Sequence, residues 1–334
     1  MAGTTIRVID GPTIRTLLPY PECIGLMRDA MIATSAGHAL LPLRQRMALP
    51  NAVDAFGMMP GYLDDPQCFG IKLVSLFPGN ARLGLSSHLG VYLLYEAEAG
   101  RPLAVMNAAE ITAIRTASAS AVATLALMRQ DSACLAILGT GEQALAHVDA
   151  LLAAHPFTEL IIWGRRAEAA EGLASAMQHR FSDRPALKVR HCTDARDAVA
   201  HADVVCTVTA SRTPVLQGAW LRPGTHVNLV GASFPDRYEI DEEGVVRGRY
   251  FVDYRPSALA QAGELLAAIA SGAVKESHII AEIGEVLSAK AVGRRSEQDL
   301  TLYKSLGVAS QDLAAAWHVF QHAERRGLGV TAAL

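Results

Sequence analysis

A short apolar run followed by two closely spaced glycines is the most informative segment of this sequence for its chemistry. The run ends at Gly139, Thr140 separates it from Gly141, and the helix-forming residues Glu142 and Gln143 follow. Gly139 permits a tight turn, and Gly141 lets the backbone approach a pyrophosphate that rests on the first amides of the next helix. The third glycine of the usual dinucleotide fingerprint is missing, so the pattern also fits an ordinary strand-to-helix turn.

The end of the next predicted strand supports a dinucleotide site. An NAD-selective site usually places an Asp or Glu about 20 residues after the glycine loop, where it binds the ribose hydroxyls. Here the chain reads Gly164-Arg165-Arg166 instead. Two cations without a carboxylate suit the 2′-phosphate of NADP(H). NADP(H) is therefore favoured, with NAD(H) as the alternative.

Three cations on separate segments, Arg44, Lys72 and Arg115, are candidates for binding an anion. Lys72 interrupts an apolar strand segment, where a charge is costly unless it has a partner. Arg115 lies beside small residues in an Ala- and Thr-rich helix. Each of them also fits an ordinary ion-paired surface cation. Because histidine titrates near neutral pH, His88 is a candidate for proton transfer; hydrogen bonding to a cofactor is its alternative role.

Composition limits the class of protein. The chain has 334 residues, of which 51% are hydrophobic, and this is enough for a large core and two domains. A net charge of −3 gives no general attraction to nucleic acid or to anionic membranes. The five cysteines are scattered and the histidines match no metal-ligand spacing, so we expect no metal site. We expect a cytoplasmic protein without a signal peptide or a membrane span.

Hydrophobic periodicity predicts the elements that position these residues. The middle third alternates aliphatic runs with helical stretches, which is typical of a doubly wound parallel α/β sheet. An α+β region precedes it, with a hairpin closed at Gly100 and a connecting helix at 111–128. Asp194 is expected to cap a helix, and residues 300–325 are expected to form one long amphipathic helix. Six parallel strands are predicted near 133–138, 159–163, 187–191, 203–207, 226–230 and 250–253.

Several segments, in order along the chain, resemble the ornithine cyclodeaminase and mu-crystallin family. They are Pro42-Leu43-Arg44, Gly70 to Ser75, Pro78-Gly79-Asn80, Ser87-His88, Ile111 to Ala117, the Gly139 loop, Val230 to Ser233, Ala281 to Val286 and Lys304 to Gly307. The resemblance implies a substrate-binding and dimerisation domain, 1–118 with 305–334, and a Rossmann-type NAD(P)-binding domain, 119–304. It also implies a homodimer, with a small imino or amino acid bound between the two domains.

The resemblance also implies roles for individual residues. Arg44, Lys72, Arg115 and Ser233 would contact the substrate, and Lys72 or His88 would supply or hold the proton. The strand ends of the parallel sheet would flank the nicotinamide riboside. The residues expected to contact the cofactor are Ser87, His88, Arg115, Gly139, Thr140, Gly141, Glu142, Gln143, Gly164, Arg165, Arg166, Thr207, Val208, Thr209, Val230, Gly231, Ser305 and Leu306.

The residue at position 233 distinguishes between the reactions that the family resemblance implies. Cyclodeaminases and related alanine dehydrogenases carry Asp two residues after the glycine that Gly231 matches, whereas mu-crystallin and ketimine reductases resemble this chain in having Ser. We therefore expect NAD(P)H-dependent reduction of a small α-imino acid, either a cyclic ketimine such as pyrroline or piperideine carboxylate, or iminosuccinate if Arg46 or Arg82 lies in the site. The alternatives are a cyclodeaminase-type lyase with recycled NAD and a non-catalytic ligand-binding protein like mu-crystallin.

Overall fold

The protein divides into two compact units in a computed structural model that describes residues 5–334, the side chain of Ala81 excepted. The first unit is Met1–Arg115 together with Gly307–Leu334, and the second is Thr116–Leu306. Within the described part of the chain, no helix combines the length and the hydropathy needed to cross a bilayer.

The helices and strands alternate irregularly in the first unit and more regularly in the second. Up to the division between the units, they are β1 (Thr5–Ile9), α1 (Gly11–Leu17), α2 (Tyr20–Ser35), β2 (Ala39–Leu40), β3 (Gln45–Ala48), β4 (Ala55–Leu63), β5 (Cys68–Leu76), β6 (His88–Glu96), β7 (Pro102–Asn107) and α3 (Ala108–Leu127), within which the division falls. They continue with β8 (Cys134–Leu138), α4 (Glu142–Ala154), β9 (Glu159–Trp163), α5 (Ala167–Arg180), β10 (Lys188–Cys192), α6 (Ala195–Val199), β11 (Val204–Thr207), β12 (His226–Leu229), α7 (Glu242–Arg247), β13 (Arg249–Val252), α8 (Arg255–Gln261), α9 (Gly263–Ala270), β14 (Ile279–Glu282), α10 (Ile283–Leu287) and β15 (Thr301–Lys304). The chain ends with α11 (Ala309–Arg326) and β16 (Val330–Ala333).

The first unit is built on a mixed sheet with the strand order β16-β1-β7-β6-β5-β4-β2, and β3 pairs with β4. The predicted hairpin is confirmed as the antiparallel pair β6–β7, and Gly100 in its turn has a φ of 71°, which favours glycine. Helix α11 packs against β4, β5 and α2. On β6, Tyr92 and Leu94 are buried, whereas Val91 next to Tyr92 is exposed, so the two faces of this strand differ in their surroundings.

The second unit contains a parallel sheet with the order β10-β9-β8-β11-β12-β15-β13-β14. The predicted doubly wound α/β sheet is thus confirmed, and each of the six predicted strands is present. The strand order changes direction between the neighbours β8 and β11: β9 and β10 follow on one side, and β12 and the later strands follow on the other. Ligands of such sheets bind at this switch point, outside the carboxyl ends of the strands. Asp194 caps α6 as predicted, because its side chain accepts a hydrogen bond from the Arg196 amide at 2.8 Å.

The expectation of six strands and of one helix over 300–325 was wrong. Strand β15 lies between β12 and β13, and β14 forms an edge of the sheet. The helix α11 begins only at Ala309. The physical reason is Gly307, whose φ of 77° ends the extended segment before the helix begins. Strand β15 is buried along its whole length, so it lacks the alternation that would have marked it as a strand.

Candidate active site

Two of the predicted substrate cations share one buried carboxylate in the first unit. Lys72 on β5 donates hydrogen bonds to Oδ1 and Oδ2 of Asp312 on α11, at 3.1 and 2.9 Å. The Nε of Arg115 donates to Oδ1 of the same carboxylate at 2.8 Å, and its Nη1 donates to Oε1 of Gln311 at 2.7 Å. All four side chains are buried. The structure therefore gives both cations the charged partner that their burial requires.

Arg44 is held next to this pair by the backbone at Gly307. The Nη2 of Arg44 donates to the Gly307 carbonyl at 3.1 Å. A Cβ atom at Gly307 would lie only 2.5 Å from Nη1 of Arg115. The positive φ favours glycine at this position, and any other residue would displace the Arg115 guanidinium. The structure thus brings Arg44, Lys72 and Arg115 together, and we call these residues with Asp312 the cation cluster.

The cation cluster is only partly neutralised. Burial lowers the pKa of Lys72 to about 7; Arg115 and Arg44 act in the same direction, and Asp312 opposes them. Burial alone would raise the pKa of Asp312, but Arg115 and Lys72 outweigh it and hold this pKa below its ordinary value. Lys72 and Arg115 share the single carboxylate of Asp312, so the three groups carry one net positive charge when Lys72 is protonated. This excess suits an anionic ligand, and Lys72 gains or loses its proton near neutral pH.

The predicted proton-transfer candidate His88 opens β6 and is exposed. Its Nδ1 lies 2.8 Å from the hydroxyl of Ser87, and its backbone amide donates to Oγ of Ser86 at 3.2 Å. Both predicted roles of His88 are compatible with this geometry. Arg46 and Arg82, considered for a second carboxylate, are exposed.

In the second unit, the Gly139 loop joins β8 to α4. Gly139 has a φ of 141° and its Cβ would lie 2.8 Å from the carbonyl oxygen of Val208, so glycine is required there by conformation and by space. Gly141 is the N-cap of α4, without a side-chain capping bond. A Cβ at Gly141 would meet no atom within 4 Å. The open side of Gly141, next to the first amides of a helix, fits a bound pyrophosphate.

The other predicted cofactor residues of this unit follow the strands at the same sheet edge. Leu138 pairs with Thr207, Thr207 with Leu229, and Leu229 with Lys304. The segments that begin at Gly139, Val208, Val230 and Ser305 therefore leave the sheet side by side. The predicted cofactor residues at this edge are Gly139, Thr140, Gly141, Glu142, Gln143, Gly164, Arg165, Arg166, Thr207, Val208, Thr209, Val230, Gly231, Ser305 and Leu306.

Two buried polar atoms at this edge have no hydrogen-bond partner among residues 5–334. They are Oγ of Ser305 and Oε1 of Gln143. Buried polar groups are usually satisfied, so unmatched ones at this edge of the sheet fit a site whose ligand completes them. Gly164 has a packing role in the same region, because its Cβ would lie 2.5 Å from Cγ2 of Thr140.

Arg165 and Arg166 follow β9 and are exposed. Arg166 is also the N-cap of α5 through its backbone. Neither guanidinium has an ion pair within the described part of the chain. Both charges are therefore available to an anionic group at the second strand of the sheet.

Sequence reasoning missed Asp312 and Gln311. A single helix over 300–325 would have made them ordinary surface residues, whereas they are buried at the start of α11. The signal was the polar run Ser310-Gln311-Asp312, which is followed directly by Leu-Ala-Ala-Ala. Ser233 is half-buried in the loop after β12, and Asp236 is exposed in a turn of that loop.

Residues 13–327 match the model of the ornithine cyclodeaminase/mu-crystallin family. The protein belongs to this family. The sequence-based resemblance is thus confirmed. The chain is 31% identical over 323 residues to a Delta(1)-pyrroline-2-carboxylate reductase of Bacillus cereus, covering 96% of this chain and 98% of the relative. It is 37% identical over 284 residues to the ketimine reductase mu-crystallin of Mus musculus, covering 85% of each chain.

Two solved structures are also similar to this chain. A Delta(1)-pyrroline-2-carboxylate reductase of Thermococcus litoralis, in complex with NADH and L-proline, has a TM-score of 0.93 at 31% identity and covers 97% of this chain and 99% of its own. An archaeal alanine dehydrogenase dimer with bound NAD has a TM-score of 0.91 at 28% identity, covering 98% and 99%. Both of these similar proteins thus bind a nicotinamide dinucleotide.

Replacing Asp312 by Asn should destabilise the protein strongly, because Lys72 and Arg115 would keep their buried charges without a carboxylate. We expect a loss of about 3–5 kcal/mol in the free energy of unfolding, measured by chemical denaturation at pH 6. The matched control is Asp29→Asn, which changes an exposed carboxylate of the same unit and should cost less than about 0.5 kcal/mol. Equal effects of the two substitutions would contradict the assigned role of Asp312.

Proposed function

We propose that the protein catalyses the NAD(P)H-dependent reduction of a small α-imino acid to the corresponding amino acid. The observation that carries the proposal is the cation cluster, which combines an excess of positive charge with a lysine whose pKa is about 7. The names of the relatives support the reaction, because they include pyrroline-2-carboxylate and ketimine reductases. We favour a cyclic monocarboxylate over iminosuccinate, because the pyrroline-2-carboxylate and ketimine reductases are 31% and 37% identical to this chain and the iminosuccinate reductase of Paracoccus denitrificans is 25% identical.

In this mechanism, the arginines of the cation cluster bind the substrate carboxylate. Besides the bonds from Arg44 to Gly307 and from Arg115 to Asp312 and Gln311, each guanidinium has further N–H donors, which we assign to the substrate carboxylate. The arriving negative charge raises the pKa of Lys72 above its value of about 7 in the free protein. Substrate binding thus favours protonated Lys72, and its ammonium keeps the proton available to the imine nitrogen.

The cofactor, when bound, supplies a hydride from its nicotinamide ring to the imine carbon. Gly139, Thr140, Gly141, Glu142 and Gln143 would hold the pyrophosphate through the loop and the first amides of α4. The ends of β11 and β12, with Ser305 and Leu306, would flank the nicotinamide riboside. The open side of Gly141 and the unpartnered hydroxyl of Ser305 support this assignment.

Ser233 supports the reductase over a cyclodeaminase. A lyase of that type must deprotonate a cationic amine and direct a second amine onto the imine, and a carboxylate assists both steps. The reductase substrate already has its C=N bond, so a neutral hydroxyl is sufficient at this position. The next carboxylate along the loop, Asp236, is exposed.

The purified protein should consume NADPH when it is given preformed Δ1-pyrroline-2-carboxylate or Δ1-piperideine-2-carboxylate, and proline or pipecolate should form in equal amount. The decrease in absorbance measures the oxidation of NADPH, and amino-acid analysis measures the proline or pipecolate that forms. Ornithine with NAD serves as the lyase substrate. Release of ammonia from ornithine without imine reduction would contradict the proposal. Tight binding of the imino acids without any turnover would instead identify a binding protein.

The same assay tests Lys72 through its pH dependence. A protonated donor with a pKa near 7 predicts that kcat/KM falls as the pH rises through that value. Lys72→Met should abolish the reaction. Lys72→Arg keeps the charge but stays protonated throughout, so its residual activity should lose this decline. The control is Lys275→Met, which removes an exposed lysine and should leave the wild-type profile unchanged.

We further propose that the enzyme prefers NADPH through Arg165 and Arg166. Their double replacement by Ala should raise the Kd of NADPH at least roughly 10-fold, the effect of losing a single charge-assisted bond of about 1.5 kcal/mol, and should change the Kd of NADH little. Fluorescence titration of the bound reduced cofactor gives both constants. Arg196→Ala, at another exposed arginine of this unit, is the control. Equal losses for the two cofactors would refute the preference.

We also propose a homodimer formed through the outer face of the first sheet. Leu89 and Val91 on β6 are 42% and 40% exposed, and Val91 pairs with Leu73 on β5. Leu93, on the same face of β6, pairs with Ile71. A second copy of the chain is the occupant that we assign to this apolar face, and the dimeric alanine dehydrogenase supports it.

Light scattering coupled to gel filtration should give twice the mass of the chain for the wild-type protein. Val91→Glu places a charge on the proposed interface and should give a monomer. Val292→Glu changes an equally apolar side chain of the second unit, 62% exposed, and should stay dimeric. A dimeric V91E variant would rule out this face.

A further inference from the structure

A buried network of ionisable side chains lies behind the loops at the carboxyl edge of the second sheet. The loops after β11 and β12 contain the predicted nicotinamide-flanking residues, and they approach each other closely at Gly231. A Cβ there would lie 2.0 Å from the carbonyl oxygen of Thr209 and 2.7 Å from Oε1 of Glu239. The spacing between these loops is therefore set by backbone contact and by one buried glutamate.

Glu239 joins the two loops through its carboxylate. Its Oε1 accepts hydrogen bonds from the backbone amide and the hydroxyl of Thr209, both at 2.7 Å. Its Oε2 accepts from the Ala232 amide at 3.0 Å. Glu239 is fully buried. Hydrogen bonds to a carboxyl group are stronger in such a site, because water is excluded from it. One side chain thus fixes the loop after β11 to the loop after β12.

Lys304, the last residue of β15, binds the loop after β12. Its Nζ donates to the Ala232 carbonyl at 2.5 Å, and Glu264 at the start of α9 neutralises it at 2.8 Å. Lys304 and Glu264 are both buried. The N–H and the C=O of Ala232 are therefore both bound by buried ionisable side chains, directly before Ser233.

We propose that Glu239 and Lys304 are positioning residues that set the geometry of the nicotinamide-flanking loops for hydride transfer. The inference rests on the proposed function, because the loops matter for hydride transfer only if they flank the cofactor. Neither residue needs to contact the substrate or the cofactor. Each acts through the backbone of Thr209 or Ala232.

The first test is Glu239→Gln, which preserves the size of the side chain. The glutamine amide has one acceptor oxygen, so its NH2 group must face a backbone N–H of one loop and release that loop. We expect kcat to fall roughly 10- to 100-fold, the scale of a small misplacement of reacting groups, and the Kd of NADPH to rise. The matched control is Glu243→Gln, at an exposed glutamate of α7, which should behave as the wild type.

A kinetic isotope effect separates positioning from simple loss of stability. With NADPH deuterated at the transferred position, a slower hydride step becomes more rate-limiting, so the isotope effect on kcat should rise in E239Q. Thermal unfolding of each variant, followed by circular dichroism, gives the fraction folded at the assay temperature. A folded E239Q variant with the Kd, kcat and isotope effect of the wild type would overturn the role of Glu239.

A charge-balanced pair of variants tests Lys304. Lys304→Met removes the donor to Ala232 but leaves Glu264 buried without its partner, whereas the double variant K304M/E264Q removes both charges. If Lys304 positions the loop, the double variant stays impaired in NADPH binding and hydride transfer although its stability recovers. Recovery of both activities in the double variant would mean that Lys304 only neutralises Glu264, and would overturn its positioning role.

Separate measurements of NADPH binding and of imine reduction distinguish a failure of the proposed reaction from a failure of the proposed positioning role. If the wild-type protein binds NADPH but reduces no imine, the proposed reaction fails. The comparison of NADPH affinity between E239Q and E243Q then still decides whether Glu239 positions the cofactor-binding loops. Failure of the wild type to bind either NADPH or NADH would overturn both proposals.

Discussion

One buried carboxylate shared by two buried cations constrains the whole first unit. Lys72 lies on a central strand and Arg115 on a helix, and both would be costly to bury without Asp312. Asp312 reaches them only because α11 begins directly after the left-handed turn at Gly307. The positions of β5, α3, α11 and Gly307 are thus linked by one electrostatic requirement. Because one carboxylate faces two cations, the same arrangement supports the proposed binding of an anionic substrate.

The corresponding constraint in the second unit is the crowding of loops at one edge of a parallel sheet. Parallel strands deliver all their carboxyl ends to that edge, so consecutive loops must pack against each other. Gly139 approaches Val208, Gly164 approaches Thr140, and Gly231 approaches Thr209. These glycines are explained by contacts within the protein. Gly141 differs, because its missing side chain leaves open space beside the first amides of α4, and this space is what a bound pyrophosphate requires.

The parts of the structure that could be predicted from sequence are those with a local signal. The six aliphatic strands were predictable because buried parallel strands are continuous apolar runs, and Lys72 stood out as a charge within such a run. Strand β15 has four residues and ends in a lysine. This short segment was therefore predicted as part of the following helix. Glu239 and Glu264 each resemble ordinary surface charges in the sequence. Their burial depends on pairings across tens of residues, which no local pattern contains.

The loop after β12 shows how a shared fold can serve different reactions. Residue 233 is the position at which this chain departs from the cyclodeaminase pattern. The residue before it, Ala232, is bound at its amide by Glu239 and at its carbonyl by Lys304. Because these bonds involve only the backbone of Ala232, they place the Cα of residue 233 whichever side chain it carries. Exchange of Asp for Ser can therefore change the chemistry at this point while the loop, the sheet edge and the buried network stay as they are.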